Sequence, residues 1–242
     1  MNIEVINSFE HYETKRMMKE LKVTTIKEQF DENKVNYYII TSNNFEKAKV
    51  VGVILPGIPE KVAFWSYNLV KEGEMHSSSK YLYFKSFAEN GWGLVNLTPH
   101  LHNIDKTGKK YIEQLKYVLK KISDSTKIVL IGYSFGGKIT IEKVMNEKEL
   151  MEKISCIILL DPGTTLERVI VRCRELKIPF MINLSEDYSK YYPTISLADN
   201  ILVYKVNCTH SELPNMSLKK IIKFIKTCFE ESIDFKESAV IL

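Results

Sequence analysis

Cysteine is scarce in this 242-residue chain: Cys156, Cys173, Cys208 and Cys228 stand alone, with no C-x-x-C pair. Such isolation argues against a zinc ribbon and against a disulfide scaffold. Long apolar runs are missing too. None approaches the ~18 residues needed to span a bilayer. Met1 to Glu20 is polar and charged with no apolar centre, so neither a signal peptide nor an anchor is expected there. Charge of one sign is also lacking, the net charge being only +4. The paired lysines at 109–110, 120–121 and 219–220 lie in or beside helical patterns. They read as solvated helix faces rather than a nucleic-acid patch. No RNA-binding or zinc-finger signature occurs. These absences lead to the expectation of a cytoplasmic protein in a reducing compartment, with no nucleic-acid partner and no stable membrane anchor.

What is present is a core. Hydrophobic residues make up 45% of the chain, enough for one domain of this length. A single domain over 1–242 is expected, with 1–34 as a charged, weakly periodic extension holding at most a short helix near Tyr12 to Leu21. Strands are predicted at Val35 to Thr41, Val50 to Leu55, Gly93 to Leu97, Ile128 to Ile131, Cys156 to Leu160, Phe180 to Leu184 and Ile201 to Val206. Between them the apolar spacing turns helical, most clearly over Tyr111 to Ile122, with apolar residues at 111, 112, 115, 118, 119 and 122. Tyr81 to Glu89, Lys138 to Lys153, Leu166 to Leu176 and Leu218 to Phe229 follow suit. Residues 60–80, with Trp65, Tyr67 and Ser77 to Ser79, fit no such unit and are expected to form an insertion that covers something or decorates the surface. Strands alternating with helices after residue 45 predict a parallel sheet flanked by helices.

The stretch Lys127-Ile-Val-Leu-Ile-Gly-Tyr-Ser-Phe-Gly-Gly137 organises the rest. A β-branched apolar strand runs into Gly132-Tyr-Ser134-Phe-Gly136, the G-x-S-x-G spelling of a nucleophile elbow, and a helical pattern follows. The glycines let the chains cross closely while the strained turn lifts the serine hydroxyl out. Serine needs a base to remove its proton, and a histidine oriented by a carboxylate is suited to that. His210 is the only histidine after Ser134. For the acid, Asp187 at the end of Phe180-Met-Ile-Asn-Leu-Ser-Glu-Asp187 is preferred. Its neighbour Glu186 and Asp161, in an Asp-Pro-Gly turn context, remain alternatives. Backbone N–H groups of Phe135 and Ile58, with Gly57 permitting close approach, are the candidate oxyanion donors. Ser134, Asp187, His210 and the Gly57-Ile58 loop all fall just past predicted strand ends, where ligands sit in such sheets.

Tyr133, His100 and Trp65 are candidate substrate contacts. His100 and His102 form an H-x-H pair without a third ligand in reach of the sequence, so no metal is expected.

Together Gly132 to Gly137, the Pro56-Gly57-Ile58 loop, Asp187 and His210 resemble the α/β-hydrolase superfamily over roughly residues 35–230. That resemblance implies an eight-stranded, mostly parallel sheet flanked by helices and a Ser-acid-His triad acting through an acyl-enzyme. It implies no cofactor. The partner would be a small-molecule acyl substrate carrying an ester or thioester, with peptidase, acyltransferase or non-catalytic binding roles as alternatives. The chain differs from many members in having Pro56 where His-Gly often stands and Leu184 where Gly often precedes the acid. It also has only one helix between Asp161 and Phe180, so no large lid is expected there. Trp65-Ser66, Glu72-Gly-Glu-Met75 and Glu89-Asn-Gly-Trp-Gly-Leu-Val-Asn96 carry a second resemblance, to hydrolase-like domains of the argonaute-binding and histone-deacetylase-associated type. Some of those act as binding modules.

Overall fold

The computed structural model describes residues 3–29, 36–58, 62–65, 67–99, 106–189 and 200–229. Eight strands are present: β1 (Val23–Gln29), β2 (Asn36–Ser42), β3 (Val50–Leu55), β4 (Gly93–Asn96), β5 (Lys127–Tyr133), β6 (Ile154–Leu160), β7 (Phe180–Leu184) and β8 (Ile201–Lys205). They form one open sheet in the order β1-β2-β4-β3-β5-β6-β7-β8. β2 runs antiparallel to both β1 and β4, and every other pairing is parallel. Helices in chain order are α1 (Ile3–Leu21), α2 (Tyr67–Glu72), α3 (Met75–Ser78), α4 (Tyr81–Glu89), α5 (Lys109–Lys121), α6 (Phe135–Glu142), α7 (Lys148–Met151), α8 (Leu166–Glu175), α9 (Glu186–Ser189) and α10 (Leu213–Phe229).

The strand sequences explain why the sheet is covered on both sides. In β5, Val129, Ile131 and Tyr133 join one apolar cluster while Ile128 and Leu130 join the other. Both sets are buried, as expected of a continuous apolar run with side chains alternating between faces. On one face the cluster is completed by α1, α4 and α10, through residues such as Met17, Phe84, Phe87, Ile221 and Ile225. On the other it is completed by α5, α6 and α8, through Tyr111, Leu115, Val118, Ile139 and Val169. The helical spacing read over 111–122 is the buried stripe of α5.

The amino-terminal stretch differs from the expectation. The short helix expected near Tyr12 to Leu21 is the second half of α1, a helix of 19 residues, and the edge strand β1 follows where no strand was expected. The helix docks by Ile6 and Met17, both fully buried, a sparse pair within an otherwise charged sequence. β1 is paired on one side only and reads Val-Thr-Thr-Ile-Lys-Glu-Gln. A polar edge strand lacks the apolar run that marks a central one, which is why its pattern is weak.

In the segment around 60–80, residues 63–65, 69–70 and 78–80 are packed inward, whereas 71–74 are exposed. Phe64 bridges Ser79, Trp65 N–H donates to the Ser78 carbonyl (2.8 Å), and Lys80 N–H donates to that of Ala63 (2.8 Å). α1 grips it: the Val62 N–H donates to Glu10 Oε1 at 2.7 Å and Ser79 Oγ to Glu13 Oε2 at 2.9 Å. The interval between β6 and β7 holds α8 alone, with no large lid. Among the described residues no helix is long and apolar enough to cross a membrane.

Candidate active site

Ser134 sits where β5 ends and α6 begins, with φ 52° and ψ −117°. A non-glycine residue held at positive φ is strained by roughly 1–3 kcal/mol, and the surroundings enforce it. The Ser134 N–H donates to the Leu160 carbonyl of β6 at 2.9 Å, and its own carbonyl accepts from Gly163 at 3.0 Å and Lys138 at 3.1 Å. The turn requires glycine two residues on: a Cβ on Gly136 would lie 2.0 Å from the Leu55 carbonyl oxygen. The helix thereby starts directly against the end of β3.

The loop after β3 borders the serine. A Cβ placed on Gly57 would come within 3.0 Å of Ser134 Cβ and 3.5 Å of its Oγ. This loop is held from below by Tyr111, whose hydroxyl donates to the Pro56 carbonyl at 2.6 Å. Ile58 follows, half-buried, and Phe135 opens α6 immediately after Ser134. These are the positions expected for oxyanion donors.

His210 lies in the β8–α10 connection. Glu212 shapes that loop by accepting from both the N–H (2.9 Å) and the hydroxyl (2.8 Å) of Thr209. The same two bonds, the backbone one foremost, hold the Glu212 carboxyl below its usual range. The imidazole faces Asp161: Nδ1 and Oδ2 are 2.8 Å apart, the carboxylate fully buried and the ring about 30% exposed. The second Asp161 oxygen accepts the Ser185 N–H at 2.9 Å. Asp161 itself has φ 41° and its N–H donates to the Asn183 carbonyl at 3.0 Å.

The preferred acid is thereby corrected. The carboxylate against the imidazole belongs to Asp161, past β6, and not to Asp187, past β7. Asp187 is exposed on α9, where its Oδ2 accepts the backbone N–H of His210 at 3.4 Å. Glu186 is also exposed, and its N–H donates to the Cys208 carbonyl at 3.0 Å. The physical reason is burial: the Asp161 carboxylate is fully buried against the imidazole, whereas Asp187 and Glu186 are exposed to water. An Asp-Pro-Gly spelling signals a turn but not which way the aspartate faces.

Tyr133 and Trp65 are the described members of the three candidate substrate contacts. Both are buried. The Tyr133 hydroxyl donates to the His210 carbonyl at 3.1 Å, and its ring stacks on the imidazole with centroids 5.0 Å apart. Trp65 stands edge-on to Tyr133 at 5.8 Å and to Tyr83 at 4.7 Å. Tyr188, which no sequence signal marked, stacks on His210 at 5.3 Å. His100 and His102 lie outside the described residues. Among the described residues no group of three or more His, Cys, Asp or Glu side chains converges as metal ligands.

The sheet order, the elbow at the end of its fifth strand and the flanking helices define an α/β-hydrolase fold. Solved structures agree. A histone deacetylase from Saccharomyces cerevisiae matches with TM-score 0.59 and 13% identity over 92% of this chain and 96% of its own. The histone deacetylase Clr3 matches with TM-score 0.56 and 12% identity over 93% of this chain, which spans only 39% of Clr3. Est1E from Butyrivibrio proteoclasticus matches with TM-score 0.54 and 14% identity over 86% of this chain and 99% of its own. No protein-family model matches the sequence, and no curated protein matches it.

Proposed function

We propose that the chain is a serine hydrolase that cleaves an ester or thioester through Ser134, His210 and Asp161. The observation that carries this reading is the buried Asp161 carboxylate 2.8 Å from His210 Nδ1, beside a serine strained on the adjoining elbow. With Nδ1–H donated to Asp161, the other ring nitrogen is left as the acceptor, the tautomer a general base requires. His210 takes the Ser134 proton, Oγ attacks the acyl carbon, and the tetrahedral oxyanion is held by the N–H groups of Phe135 and Ile58. The imidazolium then protonates the leaving alcohol or thiol, forming the acyl-enzyme. Water, deprotonated by His210, releases the acid and restores the serine. No metal or organic cofactor enters this sequence. Esterases and an acylaminoacyl peptidase among the structural neighbours support hydrolysis as the general chemistry. In this reading the enzyme works in the cytoplasm, where the four thiols, free in this structure, stay reduced.

The test is covalent labelling with a fluorophosphonate. Wild type labels, and Ser134→Ala and His210→Ala do not. A folded wild type that takes no label overturns the enzyme reading. That result would favour a second reading, a non-catalytic binding module on the same fold.

A further inference from the structure

Ser134 and His210 come from strands that do not touch. β5 and β8 are separated in the sheet by β6 and β7, so no ladder bond fixes one against the other. The loop carrying His210 is tied to its neighbours β7 and α9 by Val206 N–H to Leu184 O (2.8 Å), Glu186 N–H to Cys208 O (3.0 Å) and the long contact to Asp187. These set the loop against β7, two strands away from the elbow.

One side chain spans the gap directly. Tyr133 is the residue immediately before Ser134. It donates its hydroxyl to the His210 carbonyl at 3.1 Å and lays its ring along the imidazole, the two planes 24° apart. It cannot swing away, because Trp65 stands perpendicular to it (86°) and Trp65 is backed in turn by Tyr83. Tyr83 is anchored on α10 by donating to the Pro214 carbonyl at 2.6 Å. Burial, and then the charge of Asp161, keep the Tyr133 phenol protonated well above the ordinary tyrosine range, so the donor persists across neutral pH.

We propose that Tyr133 is a positioning residue that locks His210 over the elbow, fixing the backbone through its hydroxyl and the ring plane through stacking, while Asp161 fixes the tautomer. This rests on the hydrolase reading for its catalytic consequence, but not for its structural one. A residue at the second position of G-x-S-x-G then acts on the base as well as shaping the nucleophile turn.

Two readouts test it on Tyr133→Phe, which keeps the ring, and Tyr133→Met, which loses both ring and hydroxyl. The first is the low-field NMR resonance of the His210 Nδ1 proton, assigned by its loss in His210→Gln. Its exchange with water is expected to quicken about tenfold in Tyr133→Phe and further in Tyr133→Met, with thermal melting confirming that both fold. The second is the fluorophosphonate labelling rate, expected to fall about five- to tenfold in Tyr133→Phe without a change in apparent probe affinity. Exchange and labelling both unchanged in folded Tyr133→Phe overturn the proposal. A wild type that takes no label but shows the resonance overturns the hydrolase reading alone. Faster exchange in Tyr133→Phe then still supports the positioning role, and equal exchange still defeats it.

Discussion

Asp161 Oδ2 lies 2.8 Å from His210 Nδ1, although the two residues follow different strands, β6 and β8. The carboxylate is fully buried and its other oxygen is occupied by the Ser185 N–H. A carboxylate so placed has one direction left in which to act, toward the imidazole.

Asp161→Asn is therefore expected to lower kcat on a model ester by about 10³- to 10⁴-fold, because an amide can present N–H to Nδ1 and stabilise the wrong tautomer. Asp187→Asn, at an exposed site with only a long backbone contact, is expected to change it by less than about fivefold, one weak hydrogen bond's worth. Steady-state hydrolysis by the two variants decides. A large loss in Asp187→Asn with a mild one in Asp161→Asn would reverse the assignment.

Two glycines separate folding from function. Gly136→Ala sets a methyl 2.0 Å from the Leu55 carbonyl oxygen, a backbone clash that cannot relax without breaking the elbow. It should lower the melting temperature sharply or prevent soluble expression. Gly57→Ala meets Ser134 Cβ at 3.0 Å, a displacement of tenths of an ångström. It should fold, with melting close to wild type, and label about ten- to a hundredfold more slowly as the oxyanion side of the site closes.

Trp65→Ala distinguishes a core residue from a substrate contact. The ring is 4% exposed and packed on Tyr83 and Tyr133, so its removal should cost about 3–5 kcal/mol in urea denaturation. A substitution that left stability intact while raising KM would restore Trp65 to the substrate pocket.

Cys173 gives the protein an alkaline limit. Burial on α8 pushes its thiol up to about 12, whereas in the unfolded chain a thiol ionises near about 8.5. Below that unfolded value both states hold the proton and stability is unaffected. As pH rises toward 12 only the unfolded state loses it, so stability falls by about 1.4 kcal/mol per pH unit from this group. Denaturation at pH 8 and pH 10 should show the decline. Cys173→Ala, though less stable throughout, should show a shallower one. An equal slope in the two proteins would remove the thiol as its source.

Much of this molecule is legible in one dimension. Val50 to Leu55 and Phe180 to Leu184 are strands with the bounds their apolar runs suggest, because a strand buried on both faces is apolar at nearly every position. The stripe of α5 and the elbow at Ser134 are equally local. Period and turn chemistry are properties of a few consecutive residues, and so they survive in the sequence. The first half of α1 and all of β1 were not legible for the converse reason: one docks through few apolar contacts and the other is a polar edge, so neither carries a strong period.

What the chain order alone could not decide is which side chains meet across strands. Asp161 and Asp187 stand at equivalent strand ends, and each is followed or flanked by turn residues. Only the burial of Asp161 and its 2.8 Å contact with the His210 ring select between them. Tyr133 and Trp65 are likewise indistinguishable in sequence from aromatic pocket walls. Their burial against His210 and Tyr83 follows from the 62–80 segment being clasped by α1, a contact between residues more than 50 positions apart. The sequence by itself determined the buried central strands, the elbow and the one histidine that follows it. The tertiary packing decided the partner of that histidine, because a hydrogen bond between loops depends on lateral strand order and burial, neither of which is written in any local run of residues.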